Sequence, residues 1–146
     1  MNILVKAKSL PNRVTLAVVA VALATCSTLA LAGEIKVTLS GAQEVPPVTT
    51  SASGSGSIVI NDDKSVSGSI TTTGIAAVAA HIHEAPSGKN GPVIVPLVKS
   101  GENGWTVQAG AKLTDVQYAS FKAGNLYVNV HSAANKGGEI RGQLKP

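Results

Sequence analysis

Apolar and polar residues alternate with a period of two along much of the chain after residue 33. In Glu34–Ser40, Ile35, Val37 and Leu39 fall on one face and Lys36 and Thr38 on the other, which predicts a half-buried strand. Ser57–Asn61 and Ser65–Thr72 predict two further strands, and Asn61-Asp62-Asp63-Lys64 between them has the composition of a hairpin turn. After Gly74 come Val78–His83, the nearly continuous apolar run Val93–Val98, Trp105–Ala109, Leu126–His131 and Glu139–Leu144. Pro96 cannot donate to a ladder, so it predicts an edge position or a bulge in its strand.

The segments between these runs carry turn signals. Gly41–Val48 contains Pro46-Pro47 and predicts a rigid extended loop or edge segment. Thr49–Gly56, rich in Ser, Thr and Gly, predicts a loop or edge strand within the domain. Ala85–Pro92, Ser100–Gly104 and Ser132–Gly138 predict loops and turns. Only Leu113–Ala123 departs from the strand period: Leu113, Val116, Ala119 and Phe121 lie near helical spacing, Thr114 can cap and Gly124 can terminate. The pattern predicts an all-β fold, an antiparallel β-sandwich or Greek-key barrel, with one short helix near 113–123.

The start of the chain is of a different kind. Lys6, Lys8 and Arg13 form a basic region, Val14 to Ala24 is apolar but too short to span a bilayer, and Ala30-Leu31-Ala32 is an Ala-x-Ala cleavage site. Residues 1–32 therefore predict a signal peptide cleaved after Ala32, and residues 33–146 one domain, exported to the periplasm or secreted. Leu23-Ala24-Thr25-Cys26 offers a competing lipoprotein site, although Thr before the cysteine fits that pattern poorly. Cleavage after Ala32 removes Cys26, the only cysteine, so the mature domain holds neither a disulfide nor a thiolate ligand.

Removing the signal also changes the charge. The whole chain carries a formal +4, whereas residues 33–146 hold nine Lys/Arg against eight Asp/Glu, a net +1. This near-neutral balance gives no basis for nucleic-acid binding or for membrane association once the signal is gone. No nucleophile elbow, P-loop or dinucleotide fingerprint occurs. Ser132 beside His131 is no triad signal, because adjacent strand residues face apart. Gly88-Lys89-Asn90-Gly91 has the composition of a turn.

The candidate chemistry lies in the three histidines. On a strand, His81 and His83 point to one face about 7 Å apart at Cα, and Ile82 points into the core. In Leu126–His131, Leu126, Val128 and Val130 share the core face, which places Tyr127, Asn129 and His131 together on the other. If the two strands are neighbours, three imidazoles and Tyr127 meet on one surface. Such a donor set suits copper, or zinc as the alternative, with an open coordination position. His81, His83, His131 and Tyr127 are thus the candidate metal ligands; Glu84, Glu139 and Asn129 are candidates for a fourth ligand or an outer partner. The bland alternative has the histidines hydrogen-bonded to backbone carbonyls, pinning loops, and Glu139 and Arg141 forming only a cross-strand ion pair.

Five blocks carry a resemblance: Gly41-Ala42-Gln43-Glu44-Val45-Pro46-Pro47-Val48, Ala80-His81-Ile82-His83, Gly88-Lys89-Asn90-Gly91-Pro92-Val93, Tyr127-Val128-Asn129-Val130-His131-Ser132 and Gly138-Glu139-Ile140-Arg141-Gly142-Gln143. In this order they resemble the chordin-type (CHRD) domain across nearly all of the mature chain. That resemblance implies a domain found in extracellular chordin and in small exported bacterial proteins, and it supplies no reaction. The His-x-His strand is also similar to the copper-ligand strand of copper/zinc superoxide dismutases, but the cysteine pair and the histidines for two metals are lacking. The leading expectation is an exported protein holding one copper or zinc ion, with a redox or copper-handling role. The alternatives are a non-catalytic binding module that docks another exported protein, and a dismutase-like copper enzyme.

Overall fold

The computed structural model describes residues 33–146. The predicted signal peptide, its cleavage site and Cys26 lie outside the described residues. Eight strands follow one another: β1 (Glu34–Ser40), β2 (Ser53–Ile60), β3 (Val66–Thr73), β4 (Ala77–Glu84), β5 (Val93–Ser100), β6 (Gly104–Val107), β7 (Leu126–Ser132) and β8 (Ile140–Leu144). Among the described residues one α-helix, α1 (Asp115–Lys122), precedes β7, and a single 3-10 turn, Gly41–Gln43, follows β1.

The strands form a closed barrel in the order β1-β2-β3-β6-β5-β4-β7-β8, every pairing antiparallel. Closure comes where Ser40 of β1 meets Arg141 of β8. Of the two expected architectures the barrel is therefore the correct one, and the sandwich is not. The crossing is of Greek-key type: β4, β5 and β6 run as consecutive hairpins, and the connection through α1 returns β7 to the side of β4. This return places the two histidine-bearing strands next to each other.

Inward-facing side chains fill the barrel. Leu39, Ile58, Ile70, Ile82, Leu126, Val128, Val130, Ile140 and Leu144 are all essentially fully buried, at the alternate positions their strands predict. The helix begins at Thr114, whose hydroxyl accepts from the Gln117 amide while the Gln117 side chain accepts from the Thr114 amide, a reciprocal capping box. Phe121 is the helix residue that reaches the core. Val116 does not: it is 72 % exposed, because the helix is only two turns long and presents that side to solvent.

Two expectations at loop-like sequences need correction. The Ser/Gly-rich stretch from Ser53 is no loop but half of a long strand paired to both β1 and β3. A Cβ on Gly56 would collide with the Ser69 carbonyl and the Ile70 Cα, so the small residues there permit a close strand approach. Pro96 is not on an edge, since a closed barrel has none and β5 lies between β4 and β6. A register shift adjoins it: Ile82 pairs with Val95 but His83 with Val93, leaving Ile94 as the extra residue of a bulge.

Candidate metal centre

The site lies on the outer face of the β4–β7 pair. In the observed register His81 faces Asn129, His83 faces Tyr127, and Ala79 faces His131, so His131 is the diagonal neighbour of His81. The apolar partners Ala80, Ile82, Val128 and Val130 turn into the barrel, and this fixes which face the histidines occupy. That outer face is not open to water. Tyr127 and Asn129 are each only 2 % exposed and His83 is buried, because neighbouring connections fold over them. Asn90 of the Ala85–Pro92 loop donates to the Val45 carbonyl at 2.7 Å, which ties two of these connections together.

Hydrogen bonds define the orientation of two of the imidazoles. His83 Nδ1 lies 2.9 Å from the Gly91 carbonyl and His131 Nδ1 lies 2.8 Å from the Lys136 carbonyl. A carbonyl only accepts, so in both rings Nδ1 carries the proton and Nε2 presents a lone pair. His131 Nε2 is 3.1 Å from His81 Nδ1. His83 Nε2 is buried with no hydrogen-bond partner. One ligand nitrogen from each of the three rings falls within 4.8 Å of the others.

Electrostatics favour neutral rings here. Burial holds His81 below its ordinary pKa, and the neighbouring His131 and His83 push in the same direction. Burial likewise lowers His83, against a smaller opposing contribution from its bond to Gly91. Neutral imidazole is the form that binds a metal ion.

Tyr127 is brought to the cluster, where it stacks on His83 with ring centroids 4.8 Å apart and planes 9° from parallel. Its hydroxyl accepts from the Gly91 amide at 3.3 Å. Gly91 therefore bonds both members of the stack, His83 through its carbonyl and Tyr127 through its amide. Glu84 and Glu139 are engaged elsewhere: Glu84 accepts from Ser120 at 2.5 Å and Glu139 from Thr50 at 2.7 Å. Glu139 and Arg141 form no ion pair; among the described residues the ion pairs are Lys36–Glu34 and Lys64–Asp115.

Arg141 and Glu44 have roles that the strand pattern did not reveal. The Arg141 guanidinium sits 3.4 Å from the Tyr127 ring centroid and donates to the carbonyls of Lys89, at 2.8 Å, and Pro86, at 3.3 Å. It thus anchors the loop that supplies Gly91. Glu44 is 4 % exposed, and burial raises its pKa. Alternation places Arg141 on an outer face, and the only signal for either residue was membership in the CHRD-like blocks.

No curated protein and no solved structure gives a match to the chain. The CHRD domain family does, over residues 35–144, which span every strand from β1 to β8 together with all three histidines. The chain belongs to the CHRD domain family.

Proposed function

We propose that this domain is an extracytoplasmic metal-binding module that holds one divalent ion, copper before zinc, through His81, His83 and His131. One observation carries the proposal: carbonyl bonds at Nδ1 leave Nε2 of His83 and His131 unprotonated in a cluster whose ligand nitrogens lie within 4.8 Å of one another, and His83 Nε2 is buried there without a partner. A histidine that donates its far nitrogen to a backbone carbonyl is oriented as metal-bound histidines are. An all-imidazole set suits copper and zinc better than calcium or magnesium, which favour oxygen.

In this reading Tyr127 braces the His83 ring, since its hydroxyl is held at the Gly91 amide. The signal-like residues 1–32 support a periplasmic or secreted location. Metal analysis of the purified protein after incubation with Cu(II) or Zn(II) and gel filtration tests the proposal. One ion per chain is expected in the wild type and none in His83→Ala. Retention of no ion at micromolar protein, or undiminished retention when His81, His83 and His131 are all replaced, overturns it.

A further inference from the structure

Asn129 lies on β7 between Tyr127 and His131 and pairs directly with His81. Its Nδ2 donates to the Gly137 carbonyl at 3.3 Å. Glu44 lies near the same amide: a Cβ on Gly138 would meet both the Glu44 carboxyl and Asn129 Nδ2, and Glu44 Oε1 is buried with no hydrogen-bond partner of its own. A carbonyl only accepts, so the amide nitrogen faces Gly137, with the Glu44 carboxyl on the same side. The amide therefore cannot flip, and Oδ1 is directed away from Gly137 and Glu44.

Asn129 Oδ1 is buried and has no hydrogen-bond partner, as is true of His83 Nε2. His83 pairs with Tyr127, so Asn129 is its diagonal neighbour across the two strands, and no hydrogen bond joins the two side chains. With the His83 proton on Nδ1, both atoms are acceptors and neither can satisfy the other. A cation between them would serve both.

Resting on the three-histidine reading, we infer that Asn129 Oδ1 is the fourth ligand of the ion, and that Glu44 acts through Asn129 as a positioning residue that holds the amide in its ligating orientation. Three imidazole nitrogens and one amide oxygen would make an N3O set, which suits Cu(II) better than the soft-ligand preference of Cu(I).

The test is Cu(II) affinity by chelator competition, read together with pulsed EPR in D2O, which detects an equatorial water. The wild type should bind one Cu(II) with no equatorial water signal. Asn129→Ala should bind at least tenfold more weakly and gain that signal. Glu44→Leu should behave like Asn129→Ala, and Glu44→Gln, which keeps an acceptor for the amide, should restore wild-type behaviour. Wild-type affinity and an unchanged spectrum in Asn129→Ala overturn the inference and leave the three-histidine site standing. Should that variant fail to fold, an equatorial water in the wild type overturns it equally. A wild type that binds no copper overturns both.

Discussion

Arg141→Leu should be among the most damaging single substitutions outside the apolar core. The guanidinium is 1 % exposed and donates to the Lys89 and Pro86 carbonyls, to Asn90 Oδ1 at 3.4 Å and to Gln143 Oε1 at 3.2 Å. Leucine fills part of the space and supplies no donor. Each carbonyl left without its partner costs about 1–3 kcal/mol. The desolvated cation–π contact with Tyr127 is worth about 2 kcal/mol. Relief from burying a charge offsets part of this, so the net loss is about 3–5 kcal/mol. In a domain of this size that corresponds to a Tm lower by about 10–20 °C. Arg141→Lys should recover little, because a point charge on a flexible stem cannot reproduce the planar fork. Urea unfolding of the metal-free protein, followed by fluorescence of the single tryptophan, Trp105, measures the effect. A loss below about 1 kcal/mol at unchanged m-value would refute the reasoning, by showing that the Ala85–Pro92 loop holds its place without the guanidinium.

Two further outcomes follow from the same geometry. His81 and His83 have folded-state pKa values below the ordinary 6.5, so in the window just below 6.5 the unfolded chain binds more protons than the folded one. Stability of the metal-free protein should therefore decline as pH falls through about 6.5 and level off below the folded values. Glu44, raised by burial, acts with the opposite sign, since the folded state takes up its proton first as pH falls. Urea midpoints from pH 7.5 to 5.5 in a Glu44→Gln background isolate the histidines, and a flat profile there would contradict the assignment. Gly138→Ala meets both a φ of +132°, which side chains rarely adopt, and the Glu44 and Asn129 side chains. It should cost about 1–3 kcal/mol from the backbone alone and weaken copper binding at the proposed site by displacing Asn129; an unchanged Tm together with unchanged affinity would count against the packing described.

Strand positions and the faces of their side chains were legible because alternation is local: Ile82 between two histidines, or Val128 between Tyr127 and Asn129, can be assigned from neighbouring residues alone. The helix end signals, Thr114 and Gly124, were legible for the same reason. Periodicity failed where side chains are too small to mark a face, as in Ser53–Gly56, and where an apolar residue is left exposed on a short helix, as with Val116. The sequence by itself thus determined an all-β chain with two strands whose polar faces carry histidine. Tertiary structure decided that the sheet closes into a barrel, that β4 lies beside β7, and that the ostensibly exterior face is roofed by loops. Those outcomes depend on contacts such as Arg141 with Lys89 and Asn90 with Val45, between residues 45 to 52 positions apart. No local pattern records contacts at that separation, and they are what turn three surface-compatible histidines into a partly buried cluster with oriented lone pairs.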